Sequence, residues 1–592
     1  MIGVKTESLL FLFFRRMRVP LIVLISAYAI ATVGFTLVPG MDDQGNPWRM
    51  SLFEAFYVVS YTGSTIGFGE VPYDFTPAQR MWTMVSIYLT VIAWLFSIGS
   101  IISLMQDPIY RSALRRARQS RGVRAMNRPF YLVCGYGDTG RILVSALTSR
   151  GHPVVVVDKN REKIETLEVE DLGASVTSFG MDAQKPDNLV EAGLRNRWCA
   201  GVIAVTGSDK TNLKIAISAK LLNHSVVVHA RAHSDSATAN MRSFETDYVV
   251  NPVEEYIRRM ELAITRPDLF RLYHWISSGP GARLVPPREV PGGNWIVCGF
   301  TQVGRAVAEL LEQQGRTVTV VDPNPEGPGR PGGTVAGRGT EAETLSEAGV
   351  ESAVGIVAAT SDDADNLSIL ITARDLNPAL FLATLENGYS THALFRAAEP
   401  DFVGQPSQVI AGYMLCRVSS SLVEPFLLAM LEQDNDFARD LLARLLRHQS
   451  DDSPEFSGGR ISAKRAPAIA RALDAGVEVP VSTLLRDPRK RDARLPLEVV
   501  LLRRDDENIL CPGDDVALEL GDRILLAGRN GIARRVRTVL ENDRILEYLL
   551  SGEDRRNGWV WRTRNASAER QADAKDQAGE VTGSTSSASI RR

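Results

Sequence analysis

The stretch Thr62-Gly-Ser-Thr-Ile-Gly-Phe-Gly-Glu70 lies between two long runs of residues without a charged side chain. The first run covers residues 19–41 and the second covers residues 81–106. At about 1.5 Å of rise per residue, an α-helix of either length crosses a hydrocarbon core of about 30 Å. The sequence therefore predicts two membrane-spanning helices with a glycine-rich segment between them. The first apolar stretch is longer than the core of an ordinary signal peptide, which disfavours that interpretation.

Arginines indicate which ends of the two helices face the cytoplasm. Three precede the first run and seven follow the second, namely Arg15, Arg16, Arg18, Arg111, Arg115, Arg116, Arg118, Arg121, Arg124 and Arg128. No acid lies among the last seven, whereas residues 42–80 carry five acids and two arginines. Because positively charged flanks stay in the cytoplasm, we expect both termini there and residues 42–80 outside, in a chain that spans the cell inner (plasma) membrane.

A short helix is expected to lead into the glycine-rich stretch. Ser51-Leu-Phe-Glu54 has the pattern of a capping box, and the apolar segment after it runs to Tyr61. Glycines on both sides of an aromatic residue permit the unusual dihedrals that point successive carbonyl oxygens one way. Such a backbone is tolerated at membrane depth where it lines a watery path, and four strands around an axis would replace the hydration shell of a cation. One strand cannot enclose an ion, so four chains are needed.

In this setting the chain resembles the potassium channels with two membrane helices per subunit. Their selectivity filter has the pattern T-V/I-G-Y/F-G, which residues 65–69 match within the segment 62–70. The resemblance implies K⁺ as the conducted ion, a homotetramer in contact with membrane lipid, and a filter made of Thr65, Ile66, Gly67, Phe68 and Gly69. Phe68 stands where tyrosine is commoner and Glu70 where aspartate is commoner. A cation channel of different selectivity, similar to the plant nuclear-envelope channels, is the alternative.

Beyond residue 128 the sequence changes to alternating strand and helix patterns. Tyr131-Leu-Val-Cys-Gly-Tyr-Gly-Asp-Thr-Gly-Arg141 opens a strand, a turn and a helix, and a second strand ends in Asp158. Glycines at these spacings let the backbone approach a pyrophosphate at the helix N-terminus, and an acid about 20 residues later binds a ribose hydroxyl. The pattern predicts that NAD(H) or an adenine nucleotide, rather than NADP, binds to Gly135, Tyr136, Gly137, Asp138, Thr139, Gly140, Arg141, Asp158 and Lys159.

The same fingerprint recurs farther along the chain. Gly299, Gly304 and Asp322 each follow their counterparts by 164 residues, and later motifs recur after 154 residues. A long, nearly constant offset indicates duplication of a whole domain. Thr301 replaces the second glycine, and its Cβ would crowd a pyrophosphate. Gly299, Thr301, Gly304 and Asp322 therefore form the weaker of the two expected nucleotide sites, and a Rossmann fold with a purely structural role is the alternative for each copy.

Both copies resemble RCK (regulator of K⁺ conductance) domains, which also occur in Trk-type potassium uptake systems. The resemblance implies a membrane α-helical pore domain, with two transmembrane helices and a pore helix, followed by two α/β Rossmann-like RCK domains and a small α+β C-terminal lobe. It divides the chain into an N-terminus (1–18), a pore domain (19–106), a basic linker (107–128), a first RCK domain (129–290), a second RCK domain (291–550) with its lobe near 480–535, and a tail (551–592) whose composition predicts disorder. It also implies that a ligand of these domains gates the pore.

Composition and the remaining motifs bear on other classes of protein. The 592 residues carry a net charge of −3, so no nucleic-acid partner is expected. Five cysteines without paired spacing exclude a disulfide scaffold. No proton donor suited to a nicotinamide stands out, so the chain is not expected to be an enzyme, and a membrane-anchored NAD-dependent oxidoreductase is the rival interpretation. The acidic clusters Asp362-Asp363-Ala-Asp365 and Asp514-Asp515 make Ca²⁺ a candidate ligand.

Overall fold

The computed structural model describes residues 6–170, 172, 176–279, 281–448, 451–529, 531 and 533–553. The chain separates into two compact units. The first unit comprises residues 1–136, 147–230 and 243–247, which contain the pore region and most of the first Rossmann fold. The second unit comprises residues 137–146 and 231–242 and the described residues between 248 and 553, which contain the second Rossmann fold and the C-terminal lobe.

Helices dominate the pore region. They are α1 (Thr6–Leu37), α2 (Leu52–Gly63), α3 (Pro77–Gln106) and α4 (Pro108–Arg124), and two short antiparallel strands, β1 (Gly40–Met41) and β2 (Pro47–Trp48), lie between α1 and α2. Within the described residues, two helical segments are long and apolar enough to cross a membrane, Phe13–Leu37 and Pro77–Gln106. The prediction of two apolar membrane helices with a short helix between them is confirmed.

Side-chain caps set where two of these helices begin. The Ser51 hydroxyl accepts a hydrogen bond from the Glu54 amide while the Glu54 carboxylate accepts one from the Ser51 amide, as the capping box predicts. Thr76 and Gln79 form a second capping box that the sequence analysis did not recognise. Because of this cap, and because Pro77 suits the first helical position, α3 begins before the uncharged run at residue 81.

The first Rossmann fold alternates strands and helices along the chain, and its strands form a parallel sheet. Its strands are β3 (Phe130–Cys134), β4 (Val154–Asp158), β5 (Val176–Gly180), β6 (Cys199–Ala204), β7 (Val227–Arg231) and β8 (Tyr248–Val250), and its helices are α5 (Asp138–Ser149), α6 (Arg161–Val169), α7 (Pro186–Glu191), α8 (Asp209–Leu222) and α9 (Asp235–Ser243). The first five strands pair in parallel in the order β5-β4-β3-β6-β7. The central strands are aliphatic runs buried on both faces, which is typical of a parallel sheet between helices.

The second Rossmann fold repeats this topology after the helices α10 (Pro252–Thr265) and α11 (Pro267–Ser277). Its strands are β9 (Asn294–Cys298), β10 (Thr317–Asp322), β11 (Val335–Ala336), β12 (Gly355–Ala358), β13 (Phe381–Leu385) and β14 (Phe402–Gly404), and its helices are α12 (Gln302–Gln313), α13 (Ala342–Glu347), α14 (Asp363–Leu376) and α15 (His392–Ala398), the last preceded by a 3₁₀ turn (Tyr389–Thr391). The six strands pair in parallel in the order β11-β10-β9-β12-β13-β14.

An antiparallel sheet forms the C-terminal lobe. Helices α16 (Pro406–Ser419), α17 (Val423–Leu431) and α18 (Asn435–Leu446) lead into β15 (Glu455–Arg460), α19 (Pro467–Asp474), α20 (Ser482–Leu485), β16 (Arg486–Asp487), β17 (Lys490–Arg494), β18 (Leu497–Arg504), β19 (Glu507–Leu510), β20 (Arg523–Gly528), α21 (Ala533–Glu541) and α22 (Asp543–Ser551). The sheet order is β15-β20-β18-β19.

The fold class predicted from the sequence is confirmed: apolar helices, two Rossmann-like folds and a small α+β lobe. The lobe begins at β15, earlier than the expected residue 480, because the glycine-containing edge strand lacks an alternating apolar pattern. Of the predicted disordered tail, residues 554–592 lie outside the described residues.

Candidate pore and nucleotide sites

Within residues 65–69, every second residue has a positive φ angle. Thr65, Gly67 and Gly69 have φ angles of +61°, +65° and +94°, and within this stretch only these three residues have positive values. Regular alternation of this kind turns successive carbonyl groups to the same side of an extended strand, as a cation-binding ladder requires. A positive φ is cheap for glycine, but for the β-branched Thr65 it is an outlier that the surrounding structure must enforce.

Aromatic side chains of helix α2 support this strand from behind. The Tyr61 hydroxyl donates a hydrogen bond to the Gly69 carbonyl at 2.7 Å. The Phe68 ring lies parallel to that of Tyr57, with centroids 6.4 Å apart, and edge-on to that of Tyr61 at 5.8 Å. Sequence reasoning missed these two tyrosines, although their spacing of four residues places them on one face of the helix that leads into residues 65–69.

An ion pair fixes Glu70, the last residue of the glycine-rich stretch. Arg80 Nε donates to Glu70 Oε1 at 2.8 Å, and the Phe75 amide donates to Glu70 Oε2 at 2.7 Å. The hydrogen bonds from Arg80 and Phe75 hold the pKa of Glu70 below its usual value. The charge of Glu70, which replaces the commoner aspartate, is therefore used to attach the loop to α3.

In the first Rossmann fold, the acid at the end of β4 is held by backbone amides. Tyr136 N donates to Asp158 Oδ2 at 2.6 Å and Asn160 N donates to Asp158 Oδ1 at 2.7 Å. Among the described residues, no cationic side chain pairs with Asp158. Gly135 has a φ of +106°, and a Cβ there would lie 2.9 Å from the Thr206 amide nitrogen, so this turn requires glycine.

The other predicted residues of the first copy belong to α5 or adjoin a strand. Gly137 precedes α5, Asp138 begins it, Gly140 and Arg141 follow in its first turn, and Lys159 comes directly after β4. Thr139 is only 2% exposed, and its hydroxyl has no hydrogen-bond partner within the described part of the chain. A buried hydroxyl without a partner is costly unless a ligand atom or water satisfies it, so the residue fits a nucleotide site.

The second copy has the same backbone hydrogen bonds to its acid, but a side chain of the same fold also contacts that acid. Phe300 N and Asn324 N donate to the two oxygens of Asp322 at 2.8 and 3.0 Å, as their counterparts do in the first copy. In addition, Arg330 Nε and Nη2 donate to Asp322 Oδ1 at 3.0 and 2.8 Å. The Arg330 guanidinium also lies over the Phe300 ring, 5.5 Å from its centroid.

The pKa of Asp322 reflects these contacts. Burial alone would raise it, but the hydrogen bonds from the two backbone amides and from Arg330 outweigh burial and lower the pKa. Arg330 lies in the glycine- and proline-rich loop 323–333, and the sequence analysis did not single it out as the residue that returns to Asp322.

Thr301, which replaces the second glycine in the second copy, also forms hydrogen bonds within the fold. Thr301 caps α12: its hydroxyl accepts from the Gly304 amide at 3.2 Å and donates to the Ala359 carbonyl at 2.7 Å. A Cβ on Gly304 would lie 1.9 Å from the Gly299 carbonyl oxygen, so these two glycines pack against each other. The Gly304 amide at this helix N-terminus therefore already has a protein oxygen as acceptor.

Helix α4 connects the pore region to the first Rossmann fold. Arg116 donates to both carboxylate oxygens of Glu191 at 2.6 and 2.5 Å and to Asn188 Oδ1 at 3.1 Å. Arg115 pairs with Glu168 at 2.9 Å. The predicted basic linker is thus a helix whose arginines dock onto acids of the Rossmann fold.

The acidic clusters considered for Ca²⁺ have other roles. Asp362 caps α14, Asp363 accepts hydrogen bonds from the Asn387 and Gly388 amides, and Asp514 pairs with Arg494. Among the described residues, no group of three or more histidine, cysteine or acidic side chains is arranged to hold a metal ion.

Comparison with known proteins identifies both kinds of domain. The family described as "Ion channel" matches residues 22–107, and the family described as "TrkA-N domain" matches residues 131–252 and 295–405. Over 266 residues the chain is 26% identical to "Potassium channel protein 1" of Methanocaldococcus jannaschii, which covers 44% of this chain and 74% of that protein.

Two further proteins are similar to longer or shorter parts of the chain. "Probable potassium channel protein 2" of the same organism is 25% identical over 222 residues, 37% of this chain and 62% of that protein. The solved structure titled "GsuK channel bound to NAD" is 16% identical, with a TM-score of 0.43 over 89% of this chain and 99% of that one. The resemblance to two-helix channels with RCK domains is confirmed: the chain joins an ion-channel domain to two TrkA-N domains and is homologous to potassium channel proteins.

Proposed function

We propose that this chain is one subunit of a homotetrameric, ligand-gated channel that conducts K⁺ across the cell inner membrane. The observation that carries the proposal is the alternation of positive φ angles at Thr65, Gly67 and Gly69. Strained backbone at a non-glycine residue persists where the surroundings enforce it, and it clusters at functional sites. Four such strands around an axis would supply the carbonyl oxygens that replace the water around a K⁺ ion.

The ligand that gates this pore is NAD(H) or an adenine nucleotide bound to the first TrkA-N domain. Asp158 offers a carboxylate that two backbone amides orient and that no cation of the described residues pairs with, which suits it to accept hydrogen bonds from ribose hydroxyls. Thr139 belongs to the same sequence fingerprint, and the absence of a hydrogen-bond partner for its hydroxyl among the described residues supports the same assignment. In this role the nucleotide is a bound effector, and its redox state matters only through its affinity for the site.

Helix α4 carries the response of that domain to the gate. It begins at Pro108, directly after α3 ends at Gln106, so any movement of α4 acts on the end of the second membrane helix. The contacts of Arg116 with Glu191 and Asn188 attach α4 to the Rossmann fold. A ligand shifts this gate only by as much as its affinity differs between the open and closed forms.

The pore is tested by ion flux through the full-length protein in lipid vesicles. We expect K⁺ to pass in strong preference to Na⁺, and we expect Gly67→Ala to abolish the K⁺ flux, because a side chain at a φ of +65° strains the filter backbone. Gly45→Ala is the matched control: Gly45 has a φ of +81° and open space around it, but it lies outside the filter.

Two results would reject this account of the pore. Equal passage of K⁺ and Na⁺ would favour a cation channel of other selectivity. Equal flux through the Gly67→Ala and Gly45→Ala variants would show that residues 65–69 do not line the ion path.

A further inference from the structure

The C-terminal lobe contains a cavity of about 520 Å³ at the edge of its sheet. Edge strand β15, the turn after it and helix α21 form most of its walls. Pockets that bind small organic ligands measure about 300–1,000 Å³, so the cavity is large enough for one. None of its residues belongs to the nucleotide site proposed above.

Cationic side chains dominate the rim of this cavity: Arg460, Lys464, Arg465, Arg534 and Arg537. Among the described lining residues the one acid is Glu541, and its carboxylate already accepts a hydrogen bond from Arg537 at 2.7 Å. The other four cations form no ion pair within the described part of the chain. Four like charges around one cavity repel each other, and an anion that enters relieves the repulsion.

The floor of the cavity is aliphatic. Ile461, Ile524, Leu526 and Val536 line it, and each is at most 8% exposed. No aromatic ring lies among the described lining residues, so a nucleobase would find no ring on which to stack. The floor therefore suits the aliphatic part of a ligand, while the rim suits its charged end.

We propose that this cavity binds an organic diphosphate whose uncharged part is a short aliphatic chain. Three of the four unpaired cations are arginines, and the planar guanidinium group forms paired hydrogen bonds with phosphate oxygens. A diphosphate carries more negative charge and more acceptor oxygens than a monoanion, so it can pair with more of these side chains. The aliphatic part displaces water from the floor and adds affinity in proportion to the apolar area it covers.

Isothermal titration calorimetry of the full-length chain in lipid nanodiscs tests this site with three probes. They are dimethylallyl diphosphate, inorganic pyrophosphate, which has the charge alone, and 3-methyl-2-buten-1-ol, which has the aliphatic part alone. We expect the first to bind about tenfold more tightly than pyrophosphate, the alcohol to give no binding, and excess ADP to leave the binding unchanged.

Variants locate the bound ligand. Arg460→Gln and Arg534→Gln should each weaken dimethylallyl diphosphate binding about fivefold or more. Arg489→Gln, which changes an exposed arginine of the same lobe outside the cavity, should leave it unchanged. Unfolding temperatures of all three variants show whether the lobe remains folded, and the three exposed positions make that the expected result.

Four outcomes would overturn the proposal. Equal affinity for dimethylallyl diphosphate and pyrophosphate would show that the cavity binds negative charge alone. Absence of binding by both would show that the cavity does not bind a diphosphate. Displacement by ADP would assign the binding to the nucleotide site, and an equal loss in Arg489→Gln would make it non-specific.

Discussion

The two Rossmann folds of this chain share a hydrogen-bond pattern, yet among the described residues the acid at the end of the second strand has a cationic partner in only one of them. In both copies an asparagine of the helix after the fourth strand accepts hydrogen bonds from a threonine two residues beyond that strand: Asn212 from Thr206, and Asn366 from Thr360. In both copies the acid at the end of the second strand accepts hydrogen bonds from two backbone amides. The duplication is therefore visible in individual hydrogen bonds.

The copies diverge in a few side chains. Asp158 has no cationic partner among the described residues, whereas Asp322 is paired with Arg330. Thr139 has a buried hydroxyl without a described partner, whereas Thr301 uses its hydroxyl to cap a helix. A duplicated domain can thus retain its fold while the side chains around the acid and the first helix change their hydrogen-bond partners.

The largest expected effect comes from removing the acid in each copy. Asp158→Ala should weaken binding of ADP or NAD⁺ about 100-fold, because the loss of two hydrogen bonds to a charged group costs about 3 kcal/mol. Asp322→Ala is the matched control, since it loses the same two backbone contacts in the other fold. Calorimetry on the purified full-length protein measures both, and a larger loss in Asp322→Ala would reverse the assignment of the sites.

The next prediction separates nucleotide binding from the change in K⁺ flux that it causes. Arg116→Gln should leave the affinity for ADP unchanged while most of the ligand-dependent change in K⁺ flux disappears, because α4 loses its contacts with Glu191 and Asn188. Arg118→Gln, on an exposed position of the same helix, serves as the control. Full ligand response in Arg116→Gln would show that the signal reaches the pore by another path.

A smaller effect tests whether Arg330 occupies the second site. Arg330→Ala should lower the stability of the second fold by about 1–3 kcal/mol, because it leaves the buried carboxylate of Asp322 without its cation. The pKa of Asp322 is lowered in the folded protein, so its contribution to stability is present above its unfolded pKa and is lost as pH falls through the folded value. The unfolding temperature of the wild type should therefore fall more steeply on acidification than that of Arg330→Ala. Parallel pH profiles of the two unfolding temperatures would show that the pair of Asp322 and Arg330 does not stabilise the fold.

The smallest effect distinguishes the two threonines. Thr139→Val should leave the stability of the free protein unchanged or raise it by about 1 kcal/mol, because it removes a buried hydroxyl without a partner, while it weakens nucleotide binding about fivefold. Thr301→Val should instead lower stability by about 1 kcal/mol through the lost helix cap. Differential scanning calorimetry compares them, and equal destabilisation would mean that the Thr139 hydroxyl is satisfied in the free protein.

Local patterns made much of this molecule predictable from its sequence. The capping box at Ser51 and the constant offset between the two fingerprints depend on neighbouring residues or on repetition, and both are seen in the structure. The side chains that distinguish the copies were not predictable, because Arg330 acts through a loop whose course the sequence does not specify. The contact of Arg116 with Glu191 joins residues 75 positions apart and needed the packing of α4 to be known.

Recording of single-channel K⁺ current in planar bilayers, with ADP or NAD⁺ added to the cytoplasmic side, tests the central claim most directly. The claim predicts a K⁺-selective current whose open probability changes with nucleotide in the wild type and in Asp322→Ala, and does not change in Asp158→Ala. A current that responds equally in Asp158→Ala, or no K⁺ current in any of the three proteins, would contradict it.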